Sequence, residues 1–176
     1  MQTPRSLYSS CIIGSYVYNI CGVDTDKKLL NSIERLNCNA AIEGCEIDFE
    51  TVNIASESVQ LEKCTEPLVI AIQSTHDILV LGGADRQQVK LGKAFQFHVK
   101  SDQVREMTFT SENFAYMGCN RYQCNVISDS KFVGVVRNQK HKTRFLTIRR
   151  DHGERQRLTV EENEKMYVEE PSFTEE

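Results

Sequence analysis

The chain reads as all-β, made of successive antiparallel units of about four short strands stacked face to face. Three observations predict this. Two segments repeat one another: Gly22 and Gly83 lie 61 residues apart, and Glu34-Arg35-Leu36 and Phe95-Gln96-Phe97 keep that offset. In each segment two short apolar runs end in a small pair, Cys21-Gly22 or Gly82-Gly83, before a polar loop and another short strand. No segment carries a long amphipathic helical period. A repeat of this size signals an array of supersecondary units, each too small to bury its apolar face alone.

Residues 1–8 read as a lead-in. The first unit takes 9–14, 16–21, 31–37 and 46–54 as strands, with Phe49 in the last of them as an aromatic plug. Residues 55–67 are polar and end in Pro67, which fits a crossing to the next unit. The second unit takes 68–73, 78–83, 94–99 and 104–109, and the third takes 122–128, 131–136, 143–149 and 154–160. Residues 161–176 are acidic, carry Pro171 and show little period, so a disordered tail is expected there.

The small pair has a physical reason. Glycine reaches positive φ without penalty and lets neighbouring backbone approach closely where a strand bends away. Cys21 fits in the first position if only the second residue carries the unusual torsion. In the third unit Val135 and Val136 stand near the doublet's place, and valine takes positive φ only at a cost, so that unit must turn differently.

Strand, apolar strand, small pair, polar loop and a Ser-Ile-Glu-Arg strand at 32–35 together resemble the kelch repeat. In that family each repeat is one four-stranded blade of a β-propeller, with a period of roughly 50 residues. Cys21, Gly22, Gly82, Gly83, Glu34, Arg35 and Phe49 carry the resemblance, which spans about 150 of the 176 residues as about three blades (9–54, 68–109 and 122–160). The chain departs from the family in having no Trp, with Phe49 in its place. The resemblance implies a partial propeller. Closed propellers have typically 4–8 blades, so three form an open arc whose end faces are expected to be apolar and prone to self-association.

Composition bounds the function. Apolar residues make up 40% and charged residues 26% of the chain, ordinary for a globular protein. No apolar run approaches the ~20 residues of a membrane span, and Met-Gln-Thr-Pro-Arg-Ser does not open a secretion signal, so a cytoplasmic location is expected. The seven cysteines are odd in number and lack Cys-x-x-Cys spacing, which argues against a zinc site or a disulfide framework. Residues 137–157 hold eight basic groups against two acidic, and 161–176 hold seven acidic groups against one lysine. The basic stretch admits a nucleic-acid contact, but few aromatics interleave it, and a solvated sheet face is the better reading.

Catalytic machinery is not evident. His76, His98, His141 and His152 have no partner spacing, and Gly82-Gly83-Ala84-Asp85 lacks the lysine and helix of a phosphate loop. No enzyme activity, cofactor or metal is expected. The resemblance implies a protein-interaction platform that contacts its partner through loops between strands. Those after the doublets offer Asp24, Asp26, Lys27, Lys28, Asp85, Arg86, Gln87 and Lys90. A degenerate remnant of a longer kelch protein is the alternative.

Overall fold

The computed structural model describes residues 2–42, 48–55, 59–87, 89, 91–110, 123–128, 131–137, 143–151 and 157–163. Its strands are β1 (Arg5–Ser6), β2 (Ser9–Ile13), β3 (Tyr16–Ile20), β4 (Val23–Asp24), β5 (Ile33–Asn37) and β6 (Glu50–Thr51). They continue as β7 (Leu68–Ile72), β8 (Asp77–Leu81), β9 (Ala94–His98), β10 (Gln103–Thr110), β11 (Gln123–Ser128), β12 (Lys131–Arg137), β13 (Thr143–Asp151) and β14 (Arg157–Asn163). The only helix among the described residues is α1 (Cys38–Ile42), whose first turn is capped by the Asn37 side chain, an acceptor for the Asn39 amide.

The class is all-β. Three antiparallel ladders, β2-β3-β5-β6, β7-β8-β9-β10 and β11-β12-β13-β14, follow one another along the chain, and no sheet closes on itself among the described residues. The second and third are joined by a short parallel pairing of β10 with β14 (Thr108↔Arg157, Phe109↔Leu158, Thr110↔Thr159). The first strands also meet: β7 lies between β2 and β11. The Gln73 side chain ties β2 to the start of the second sheet, donating to Ile12 O and accepting from the Gly14 amide.

Alternation along each strand divides the faces. On one face of the first sheet Cys11, Ile13, Tyr18, Ile20 and Ile33 pack against Val69, Ala71, Ile78, Val80, Phe95 and Phe97 of the second. Tyr18 meets Phe97 edge-on at 6.1 Å between ring centroids. The opposite face of the second sheet holds Leu68, Ile70, Ile72, Leu79 and Leu81, all buried. Both faces of β8 are covered, so Asp77–Leu81 is one continuous buried run rather than an alternating one.

Four expectations need correction. The first eight residues are more than a lead-in, because β1 pairs with β4 and Arg5 is buried. Of the strand expected at 46–54, the described residues form only Glu50–Thr51, with 46–47 outside them, and Phe49 sits half-buried just before it, outside the core cluster. The third unit's last strand runs to Asn163, which takes 161–163 out of the expected tail, while 164–176 lie outside the described residues. The far face of the first sheet is not a plain apolar end. Ser10, Asn19 and Glu34 form a cross-strand row there, at the places held by Val69, Val80 and Phe95 in the second sheet. Gln2, Thr3 and Arg5 cover that row: Thr51 Oγ1 donates to Gln2 Oε1, the Thr3 amide donates to Glu34 Oε1, and Arg5 pairs with Glu34 at 2.8 Å. Ile12 remains 57% exposed beside it.

Candidate functional site

The two doublets build the same turn twice. Cys21 and Gly82 have φ of 60° and 63°, and Gly22 and Gly83 have 101° and 100°. Both residues of each pair are therefore left-handed, which corrects the expectation that Cys21 escapes the unusual torsion. A side chain at the second position is also blocked by space: a Cβ on Gly22 would lie 2.7 Å from Ser6 O, and one on Gly83 2.8 Å from Cys64 Sγ and 2.9 Å from Thr65 O.

The loops that follow share three backbone hydrogen bonds. Cys21 N donates to Ser32 O at 3.1 Å, and Gly82 N to Lys93 O at 2.9 Å. Leu30 N donates to Gly22 O, and Leu91 N to Gly83 O, at 2.8 and 2.9 Å. Asp24 N reaches Lys28 O, and Asp85 N reaches Val89 O, each at 3.0 Å. The two aspartates close the turns with their side chains: Asp24 Oδ1 accepts from Lys28 N at 2.8 Å, and Asp85 Oδ1 from Gln87 N and Val89 N at 2.8 and 2.9 Å.

This sorts the expected contact residues. Asp24 and Asp85 are half-buried and hold their own loops. Asp26, Lys27, Lys28, Arg86 and Gln87 are exposed, while Lys90 lies outside the described residues. Asp26 and Lys28 approach to 3.8 Å with 74% and 67% of their side chains in solvent, a pair that contributes little to stability. The two loops leave the same end of adjacent sheets. Cys64 and Thr65 run between their bases: Gly22 N donates to Cys64 O at 2.9 Å, and Thr65 exchanges backbone hydrogen bonds with Ala84.

Glu34 and Arg35 point to opposite faces, as neighbours in a strand must. Glu34 is fully buried on Arg5. Arg35 pairs with Glu50 at 2.5 Å and with Asp102 at 3.5 Å, and lies over the Tyr16 ring. The first sheet is thus pinned by charge to the β9–β10 turn of the second.

At the other end of the second sheet is a charged cluster that sequence reasoning missed. Asp77, 3% exposed, accepts from Thr75 Oγ1 at 2.6 Å and from Arg150 Nη2 at 3.1 Å, and lies 3.1 Å from His98 Nδ1. Burial alone would raise its pKa, but hydrogen bonds from Thr75 and Gln96 and the charge of Arg150 hold it below the usual carboxylate value. The signal was present: the turn doublet sets the β8–β9 register, and that register places Asp77 opposite His98. Arg150 had no such signal, because it comes from the third sheet.

Among the described residues no group of three or more His, Cys, Asp or Glu converges to hold a metal ion, and no helix is long and apolar enough to cross a membrane. No family model matches the chain, and no curated protein matches it.

Proposed function

We propose that the chain is a non-catalytic, cytoplasmic protein-interaction module of the kelch type, with blade-like sheets that hold the partner through the loops after the doublets. The observation that carries this reading is the pair of loops at 23–30 and 84–91. They share one backbone hydrogen-bond scheme and stand on neighbouring sheets across Cys64–Thr65. Loops fixed by their own aspartates cost little further ordering on binding, and Asp26, Lys27, Lys28, Arg86 and Gln87 are left to face a partner. The arrangement of first strands, with β7 between β2 and β11, supports a radial order of the sheets. The basic segment 137–157 supports nucleic-acid contact less well, since Arg150 within it is buried on Asp77.

The test is affinity capture with the full chain, read by quantitative mass spectrometry against two charge-reversed variants, Asp26→Lys/Lys28→Glu and Arg86→Glu. Partners that bind the parent chain and are lost from both variants, at unchanged melting temperature, support the reading. A capture profile the variants leave untouched, or no specific partner at all, favours the remnant alternative.

A further inference from the structure

Thr75, Asp77, Gln96, His98, Gln103 and Arg105 line a pocket of about 310 Å³ at the end of the second sheet opposite the 84–91 loop. Its polar groups are unevenly satisfied. Asp77 accepts from Thr75 and Arg150 and faces His98 Nδ1, so its charge is already met by the Arg150 guanidinium. Gln96 is only 8% exposed, yet its Oε1 is buried without a hydrogen-bond partner. A buried acceptor left bare is costly, and a ligand N–H or O–H would satisfy it. Arg105 has no ion-pair partner among the described residues, and its neighbour Glu106 alternates to the other face, opposite Phe95. With Asp77 and Arg150 cancelling, the described lining keeps the positive charge of Arg105.

The register fixes how far apart these groups sit. Arg105 is directly opposite Gln96, and Gln103 directly opposite His98, on one face of the β9–β10 ladder. Directly opposed residues have Cβ atoms roughly 5 Å apart, so one small molecule can reach both members of a pair. Its donor would meet Gln96 Oε1 while its anionic group takes the Arg105 guanidinium, which suits the fork of a carboxylate. The ring nitrogen of His98 that does not face Asp77 is left for a second contact.

We propose that this pocket binds a small carboxylate that carries an N–H or O–H donor within two or three bonds of its carboxyl group. That chemistry has two sources, a free hydroxy or N-acyl amino acid and the C-terminus of a polypeptide. The site is separate from the loop surface and does not depend on it.

The experiment is calorimetric titration of the full chain with glycolate, with an N-acetylated tripeptide bearing a free C-terminus, and with the same peptide amidated. Saturable binding of either carboxylate but not the amide supports the proposal. Glycolate alone identifies a free acid as the source, and the peptide alone identifies a chain terminus. Arg105→Ala, an exposed position, should weaken binding about tenfold or more, as loss of a charge-assisted pair does, and Gln96→Met should weaken it as well, with the exposed Lys63→Ala as the unaffected control. No saturation by either carboxylate up to roughly 10 mM overturns it, a limit well above the 1 mM dissociation constant of a weak site. So does equal binding of the amide, or binding that Arg105→Ala leaves unchanged.

Discussion

Arg5 and Glu34 meet at 2.8 Å with neither side chain exposed, at the place where the second sheet holds Phe95. Arg5 also donates to Cys21 O and Ser32 O, so it joins the N-terminal segment to both ends of the first loop. Removing one partner of a buried pair leaves the other charge without compensation, and Arg5→Ala should cost about 3–5 kcal/mol in urea unfolding. Arg5→Met/Glu34→Leu removes both charges and should recover most of that loss, though not the bonds to the two carbonyls. A double variant as unstable as Arg5→Ala would show that packing of the segment, not charge, governs the effect.

The doublets give a contrast between close positions. Gly22→Ala and Gly83→Ala each add a Cβ that meets backbone or Cys64 within 2.9 Å, at φ near 100°. Each should cost about 2 kcal/mol or more, because the conformation suits glycine and the space is filled. Cys21→Gly relieves a left-handed non-glycine residue, worth about 1–2 kcal/mol. It also removes a fully buried side chain, so its net effect should be small. Equal losses at Cys21→Gly and Gly83→Ala in thermal unfolding would contradict this account of the turn.

How much of this was legible follows from what is local. The offset of 61 placed β3, β5, β8 and β9 to within a residue or two, because apolar runs and doublets are short-range signals. β1 was not legible: Arg5-Ser6 is two residues long and has no period of its own. Asp24 and Asp85 were found by residue type, but their hold on their own loops was not legible, since a loop aspartate reads the same whether it meets a partner or its own backbone. The offset of 61 sets Asn19 and Glu34 against Val80 and Phe95 but Ser10 against Ala71, so the polar row that includes Ser10 follows from strand pairing and not from the repeat alone. Its partner Arg5 became visible only when the chain folded back over it.

Two thiols, Cys11 and Cys64, should be unreactive. Burial pushes Cys11 up to about 12, and the contact with Cys21 together with burial raises Cys64 as well. The thiolate is the nucleophile, so alkylation of Cys11 at pH 8 should run roughly a thousandfold slower than at an ordinary thiol. Stability follows the same shift. A thiol raised in the folded state contributes fully below the unfolded value of about 8.5, and that contribution is lost as pH climbs toward 12. Mass-spectrometric alkylation rates check the first point: modification of Cys11 as fast as a free cysteine in folded protein would refute it.

The Asp77 cluster should make the fold acid-sensitive. Its carboxyl is held below the ordinary value despite burial, by Thr75, Gln96 and Arg150, so the unfolded chain takes up a proton there first as pH falls. The stabilising contribution is present above the unfolded value of about 3.9 and disappears as pH drops through the folded one. Asp77→Asn should therefore flatten the fall of stability below about pH 5, at some loss of stability at neutral pH, since Arg150 is left buried without its counter-charge. Arg150→Met leaves the carboxylate uncompensated instead and should cost about 3 kcal/mol at pH 7, less as the pH falls and Asp77 protonates. Urea unfolding of the three chains between pH 3 and pH 7 measures both slopes. Parallel curves for the parent and Asp77→Asn would mean that the acid transition arises elsewhere.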